Sequence, residues 1–202
     1  MVANLLRLPC IRRQRGFTLI ELAVVAVIVT VLAVVAVPRV RNLVLDARVT
    51  GVARDIEAAA LKIMQAREGM TPMFSGGVSQ AEFGAALRST GATSVTLTPA
   101  TGTVTGITHS LGSGTGAAAV WPGAWTLTTT NDTLIVELHR TDGASCMRVA
   151  QLLAARAHAV SIDISGSGGS WRWMKPPGGR FNGAGSETIC ETGNSVVQVW
   201  FQ

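Results

Sequence analysis

A run of about 21 residues, from Phe17 to Val37, contains one ionisable side chain, the carboxylate of Glu21. As an α-helix this run is about 31 Å long, because each residue adds about 1.5 Å, and the hydrocarbon core of a bilayer is about as thick. A carboxylate at membrane depth is costly unless it is neutralised or paired. The sequence therefore predicts one membrane-spanning helix with a functional acid near its start.

Arginines flank the apolar run unevenly. Four arginines and no acidic residue precede it, namely Arg7, Arg12, Arg13 and Arg15. By the positive-inside rule they hold the N-terminus in the cytoplasm, and Arg39 and Arg41 weaken that bias without cancelling it. A secretory signal peptide has a shorter apolar core that ends in a small-residue cleavage site. Here the small residue Gly16 precedes the core, so the run is not an ordinary secretory signal.

The string Gly16-Phe17-Thr18-Leu19-Ile20-Glu21 follows a basic leader and opens the long apolar segment. This combination resembles the class III signal of type IV prepilins and related pseudopilins. The resemblance implies that a prepilin peptidase cuts after Gly16 on the cytoplasmic side and methylates the new amino group of Phe17. Residues 1–16 would then be a cleaved leader, and the apolar segment would stay on the mature protein.

Glu21 has a physical role if cleavage occurs after Gly16. Cleavage would turn Phe17 into a charged amine, with Glu21 four residues along the same helical face and both groups at membrane depth. Because burying either charge alone costs several kcal/mol, a subunit would gain by docking its Phe17 amine against the Glu21 of a neighbour. The alternative is a single-pass anchor with an incidental Glu near its cytoplasmic end, where snorkelling lowers the cost.

The pattern becomes amphipathic after Pro38, which falls where many of these pilins have a helix-kinking proline. Apolar residues recur at helical spacing at Val40, Leu43, Val44, Ala47, Val52, Ile56, Ala59, Ala60, Ile63 and Met64. With Gly69 and Pro72 as stop signals, we predict one helix of about 52 residues from Phe17 to Glu68. Pro38 removes one backbone hydrogen bond and is expected to bend this helix. Residues 17–37 would be its transmembrane and polymerisation segment, and residues 38–69 its amphipathic half.

Residues 70–202 are predicted to form an α+β globular head. The region from Met70 to Val120 is interpreted as an irregular connection, and a hairpin is predicted between 124–128 and 133–138, with Asn131 and Asp132 at its turn. The other predicted elements are helices over 79–87 and 146–158 and strands over 94–97, 104–107, 160–164 and 195–201. An antiparallel sheet would then lie on the C-terminal half of the long helix, which is the pilin fold that the resemblance implies.

Three cysteines are present, and Cys10 lies in the leader. Removal of the leader leaves Cys146 and Cys190 as a pair in an oxidising compartment, so we predict that they form a disulfide. It would close a loop of about 45 residues and stabilise the fold by about 4 kcal/mol in the chain-entropy model. The alternative is two free thiols or a partial metal site. The arrangement resembles the disulfide-bounded C-terminal region of type IV pilins, and the segment from Cys190 to Val196 resembles the type IVb branch.

The net charge does not support a nucleic-acid partner. The formal charge is +5, but four of the seventeen Lys and Arg residues belong to the leader, which leaves 13 basic against 12 acidic residues. The mature chain would carry about +1, so a strongly basic binding surface is not expected.

No motif predicts catalysis, a metal site or a cofactor. His109, His139 and His158 are isolated in sequence and are interpreted as surface or strand-end residues. The Gly-rich stretch 112–116 lacks the Gly-Lys-Ser/Thr ending of a phosphate loop and is interpreted as a turn. The aromatic residues Trp171, Trp173 and Phe181 alternate with Arg172, Lys175 and Arg180 in a Gly/Pro-rich loop, where local packing is favoured over a stacking surface for a glycan or a neighbouring subunit.

The function predicted from the sequence is structural rather than enzymatic. The resemblance implies a subunit of a type IV pilus, anchored in the bacterial inner membrane with a cytoplasmic N-terminus and a periplasmic head, and extracellular after assembly. Its partners would be the prepilin peptidase, membrane lipid, the inner-membrane assembly platform and other pilin subunits. The filament would serve adhesion, aggregation, motility or conjugation. Alternatives are a minor pilin, a type II secretion pseudopilin, or a membrane-tethered periplasmic enzyme or binding domain.

Overall fold

The computed structural model describes residues 17–70, 73–74, 77–112, 116–123, 133–163, 170–183, 189–190 and 195–202. The leader, including Gly16 and Cys10, lies outside the described residues. The chain divides into two compact units, one ending at Asn42 and one comprising Leu43–Gln202.

The first element is the long helix α1, Leu19–Ala66. The prediction of one long N-terminal helix is confirmed, with two residues fewer at each end than expected. The helix passes through Pro38 without interruption; the bend expected there stays a prediction. Gly69 follows the helix with φ of 89°, a left-handed conformation that glycine adopts without steric cost. This glycine therefore stops the helix as the sequence indicates.

The buried face of α1 begins later than predicted. Its buried residues are Val49, Val52, Ala53, Ile56, Ala59, Ala60 and Ile63. The predicted stripe was correct from Val52 onward but wrong before it, since Val40, Leu43, Val44 and Ala47 are exposed. These four residues follow the helical period without contributing to the core of the second unit. The exposed apolar surface of α1 therefore continues past Pro38 to Val44.

The described part of the head contains two further helices and seven strands. In chain order they are α2 (Gln80–Ser89), β1 (Val95–Thr98), β2 (Gly106–His109), β3 (Gly116–Gly123), β4 (Thr133–Thr141), α3 (Gly143–Ala154), β5 (Ala159–Asp163), β6 (Trp171–Lys175) and β7 (Ser195–Phe201). All described strand pairs are antiparallel, in the order β1-β2-β3-β4-β7-β5-β6. The predicted α+β class, a long helix packed on an antiparallel sheet, is confirmed.

The region from Met70 to Val120 contains the predicted short helix and the two predicted strands, which are α2, β1 and β2. It also contributes most of β3, which was not predicted. Strand β3 was missed because its small residues, Gly116 and three alanines, carry little of the β-branched signal of a strand.

Strand β4 is paired with described strands on both of its edges. Strand β4 pairs with β3 on one edge, from Gly123 opposite Thr133 to Ala118 opposite Leu138. Its other edge pairs with β7. The hairpin partner predicted for this strand was residues 124–128. These residues, with Asn131 and Asp132 of the predicted turn, lie outside the described residues.

One face of the central strands forms the core with α1. The fully or nearly fully buried residues on this face are Leu134, Val136, Leu138, Val160, Ile162, Val197, Val199 and Phe201. They recur at every second position, as expected for side chains that alternate between the two faces of a sheet.

Helix α3 is joined to the rest of the head covalently and by ion pairs. A disulfide links Cys146 in its first turn to Cys190, with the two Cα atoms 5.8 Å apart. Arg148 forms an ion pair with Asp46 on α1, and Arg156, just after α3, forms one with Glu57. The buried face of α3 includes Ala150 and Leu153, whereas Leu152 is 46% exposed.

The tryptophans assigned to a Gly/Pro-rich loop lie on a strand instead. Trp171 and Trp173 belong to β6, which pairs with β5 at the sheet edge. The Trp173 ring lies 5.5 Å from the Trp200 ring on β7, centroid to centroid. Because β6 is short and lies between Gly-rich segments, its alternating pattern was taken for a loop. Phe181 packs partly buried against the core.

Candidate assembly site at the start of the long helix

Thr18 sets the beginning of α1. Its side-chain Oγ1 accepts a hydrogen bond from the amide N–H of Glu21 at 3.3 Å, and its carbonyl accepts from the amide of Leu22 at 3.2 Å. The first contact is that of an N-cap residue, which satisfies one of the amides left without a partner at a helix start. This role of Thr18 was not predicted, although Thr18-Leu19-Ile20-Glu21 has the Ser/Thr-x-x-Glu spacing of a capping box.

Glu21 lies in the first turn of α1, three residues after the N-cap. At this position the helix dipole and the free amide groups favour a negative charge. Its side chain is exposed within the described residues. The start of the helix therefore favours the negative charge of Glu21, and its exposed carboxylate is accessible to a cationic partner.

Phe17 precedes the helix, in contrast to the prediction. Because α1 begins at Leu19, Phe17 lies one residue before the N-cap. Phe17 is therefore not on a helical face that it could share with Glu21. The Phe17 residue is 82% exposed. Gly16, the predicted cleavage residue, lies outside the described residues.

The surface of α1 after Glu21 is apolar and uncovered. Its large apolar residues from Leu22 to Val44 are between 44% and 72% exposed. Glu21 is the one acidic residue between Phe17 and Asn42. An apolar surface of this extent requires a lipid or protein partner, because water-exposed apolar patches on monomeric proteins are much smaller.

One helix in the described part of the chain, α1, is long and apolar enough to cross a membrane. This finding rests on length and composition.

The titratable residues of the head do not gather into a metal site among the described residues. His109 ends β2 and is buried, and its Nδ1 accepts a hydrogen bond from the amide of Leu111 at 3.2 Å. His139 Nε2 lies 3.1 Å from a carboxylate oxygen of Glu137. His158 immediately precedes β5. The three histidines thus occupy separate places in the fold.

Comparison with known proteins bears on the N-terminal segment and on the fold. Residues 11–37 match the prokaryotic N-terminal methylation motif. The fold is similar to the crystal structure of the type IV b pilin from Salmonella typhi, with a TM-score of 0.50, 15% sequence identity, and coverage of 76% of this chain and 96% of the pilin. No curated protein matches the sequence. The chain thus combines a prokaryotic N-terminal methylation motif at the segment that opens α1 with a fold similar to that of a type IV b pilin.

Proposed function

We propose that this chain is a structural subunit of a type IV pilus. In the membrane, residues 17–37 hold the subunit as a single-pass anchor, with the N-terminus in the cytoplasm and the head in the periplasm. A prepilin peptidase removes residues 1–16 and methylates Phe17. The processed subunit then polymerises with other copies at the inner-membrane assembly platform and becomes part of an extracellular filament.

The observation that carries the proposal is the exposed apolar surface of α1 with Glu21 in its first turn. Lipid covers such a surface before assembly, and the helices of neighbouring subunits cover it in a filament. In the filament, Glu21 of one subunit receives the Phe17 amine of another. Since Thr18 caps the helix and Phe17 precedes it, the amine is not held by the first turn of its own helix and is available to a neighbour.

The test is the substitution Glu21→Gln in the source organism, followed by measurement of the protein in membranes and in sheared filaments. Membrane levels should be unchanged. Filament yield should fall roughly a hundredfold or more, because leaving one member of a buried ion pair alone costs about 3–5 kcal/mol. The matched control is Glu68→Gln, which removes one charge from an exposed site beyond the other end of α1. Normal filaments from Glu21→Gln would overturn the proposed pairing.

Mass spectrometry of the same filaments tests the processing and the role in the shaft. A dominant species that begins at N-methylated Phe17 is expected for a major subunit. A trace species would assign the chain to a minor pilin, and detection only in a type II secretion machine would assign it to a pseudopilin.

A further inference from the structure

A groove in the second unit lies between α1 and the β1–β2 pair. It has a volume of about 500 Å³, within the range of small-molecule binding sites. Val44, Ala47 and Arg48 line it from the helix, and the strand side contributes mainly hydroxyl residues and His109. The groove shares Val44 with the end of the exposed apolar surface that the proposed function uses, and its other lining residues lie beyond that surface.

The wall of the groove is held in place by two contacts with α1. The Asp55 carboxylate accepts hydrogen bonds from the amide of Thr93 at 3.0 Å and from the amide of Ser94 at 2.7 Å. Gly51 lets the same segment approach the helix closely, since a Cβ there would lie 2.2 Å from Ser94 Oγ. The groove is therefore preformed, which lowers the ordering cost of binding.

Arg48 supplies the charge of the groove. It is exposed, and the ion pairs of the described residues do not involve it. Two nearby acids on α1 are engaged elsewhere, Asp46 with Arg148 and Asp55 with the Thr93–Ser94 amides. A guanidinium presents a planar fork of donors that fits carboxylate and phosphate groups.

Hydroxyl groups supply most of the remaining polarity. Thr93, Thr96, Thr108 and Ser110 line the groove, and a hydroxyl both donates and accepts hydrogen bonds. A ligand matched to this lining has several hydroxyls as well as one negative charge. A sugar can supply hydrogen-bond partners to these hydroxyl groups when it displaces their water, which an apolar ligand cannot do.

We propose that this groove binds a saccharide that carries a carboxylate or a phosphate. Arg48 receives the anionic group, and the hydroxyl residues of β1 and β2 bond to the sugar hydroxyls. Val44 and Ala47 contact the apolar face of the sugar ring. The inference does not rest on polymerisation, because each of these residues belongs to one subunit.

The test uses the full chain in a polyoxyethylene detergent, which carries no sugar, and isothermal titration calorimetry. The probes are glucuronate and glucose 6-phosphate, with glucose and inorganic phosphate as controls. At least one of the two anionic sugars should bind more tightly than both controls. Arg48→Gln should weaken that binding roughly tenfold or more, since it removes a charge-assisted bidentate contact. Arg54→Gln, another exposed arginine on α1, should leave it unchanged.

A second pair of variants tests the hydroxyls. Thr96→Val should weaken sugar binding several-fold, whereas Thr98→Val, at an exposed position of the same strand outside the groove lining, should not. An unchanged unfolding midpoint shows that each variant is folded. No binding of either anionic sugar, or equal binding by Arg48→Gln, would overturn the proposal. The saccharide assignment would also be overturned if inorganic phosphate bound as tightly as glucose 6-phosphate and glucuronate did not bind. The groove would then be a simple anion site.

Discussion

Arg67 and Glu82 form a forked ion pair that connects the end of α1 to the first turn of α2. The Arg67 Nε lies 3.1 Å from Glu82 Oε1, and its Nη2 lies 2.7 Å from Oε2. The same Nη2 donates to the carbonyl of Gly77 at 2.8 Å, and the guanidinium lies 5.7 Å from the centre of the Phe74 ring. Arg67 is mostly buried, with 14% of its side chain exposed. One side chain thus fixes both the chain after α1 and the start of α2.

The substitution Arg67→Met is expected to lower the free energy of unfolding of the head by about 1–3 kcal/mol, because it removes the hydrogen bonds to a charged partner and leaves the Gly77 carbonyl without its donor. Arg67→Lys should recover only part of the loss, since a lysine cannot form the fork. Chemical unfolding of the full chain in detergent, followed by tryptophan fluorescence, measures both. Arg180→Met, at an exposed site, is the control. Equal stability of all variants would contradict this assignment.

The substitution Asp142→Ala is expected to lower the free energy of unfolding of the head by about 1 kcal/mol. The Asp142 Oδ1 caps α3 by accepting the amide of Ser145 at 2.7 Å. Removal of an N-cap side chain leaves this amide without a partner, and Ser145 is fully buried. Asp142→Asn retains a hydrogen-bond acceptor, so its loss of stability should be much smaller. Thermal unfolding measures the stability of both variants. Equal unfolding midpoints for Asp142→Ala and Asp142→Asn would contradict the capping role.

The substitution Gly84→Ala is expected to destabilise the head by about 1–3 kcal/mol, although alanine favours helices more than glycine does. A Cβ at Gly84 would lie 2.5 Å from two carbons of the buried Val104. Overpacking of this kind outweighs the helix propensity gain of about 1 kcal/mol. Adding Val104→Ala should restore much of the loss that Gly84→Ala causes, which a double-mutant cycle measures as coupling. Independent, additive effects would rule out the contact.

Loss of the disulfide is expected to lower the free energy of unfolding by about 2–4 kcal/mol. The bond joins Cys146 to Cys190 across a sequence separation of 44 residues, so it restricts the unfolded chain strongly. The single variants Cys146→Ser and Cys190→Ser should each lose about as much as the double variant, because each one removes the same bond. Reduction of the wild type should have a similar effect. A double variant that loses the sum of the two singles would contradict this expectation.

The local elements of the chain could largely be predicted from its sequence. The final strand, Ser195–Phe201, is found where predicted, and helices α2 and α3 lie within a few residues of their predictions. These segments have a clear hydrophobic period or a capping residue such as Ser79 or Asp142. Both are local signals. Strands with weak local signals, such as β3 and β6, were missed or taken for loops.

By itself the sequence determined the apolar helix with its single acid, the methylation motif over residues 11–37, and the α+β class of the fold. These properties depend on residues close together in the chain, where composition and helical period decide the outcome. The tertiary structure alone decided which strands flank β4, where the buried face of α1 begins, and that Arg48 shares a groove with the hydroxyl residues of β1 and β2. The physical reason is that such pairings depend on the packing of distant segments, which no local pattern encodes.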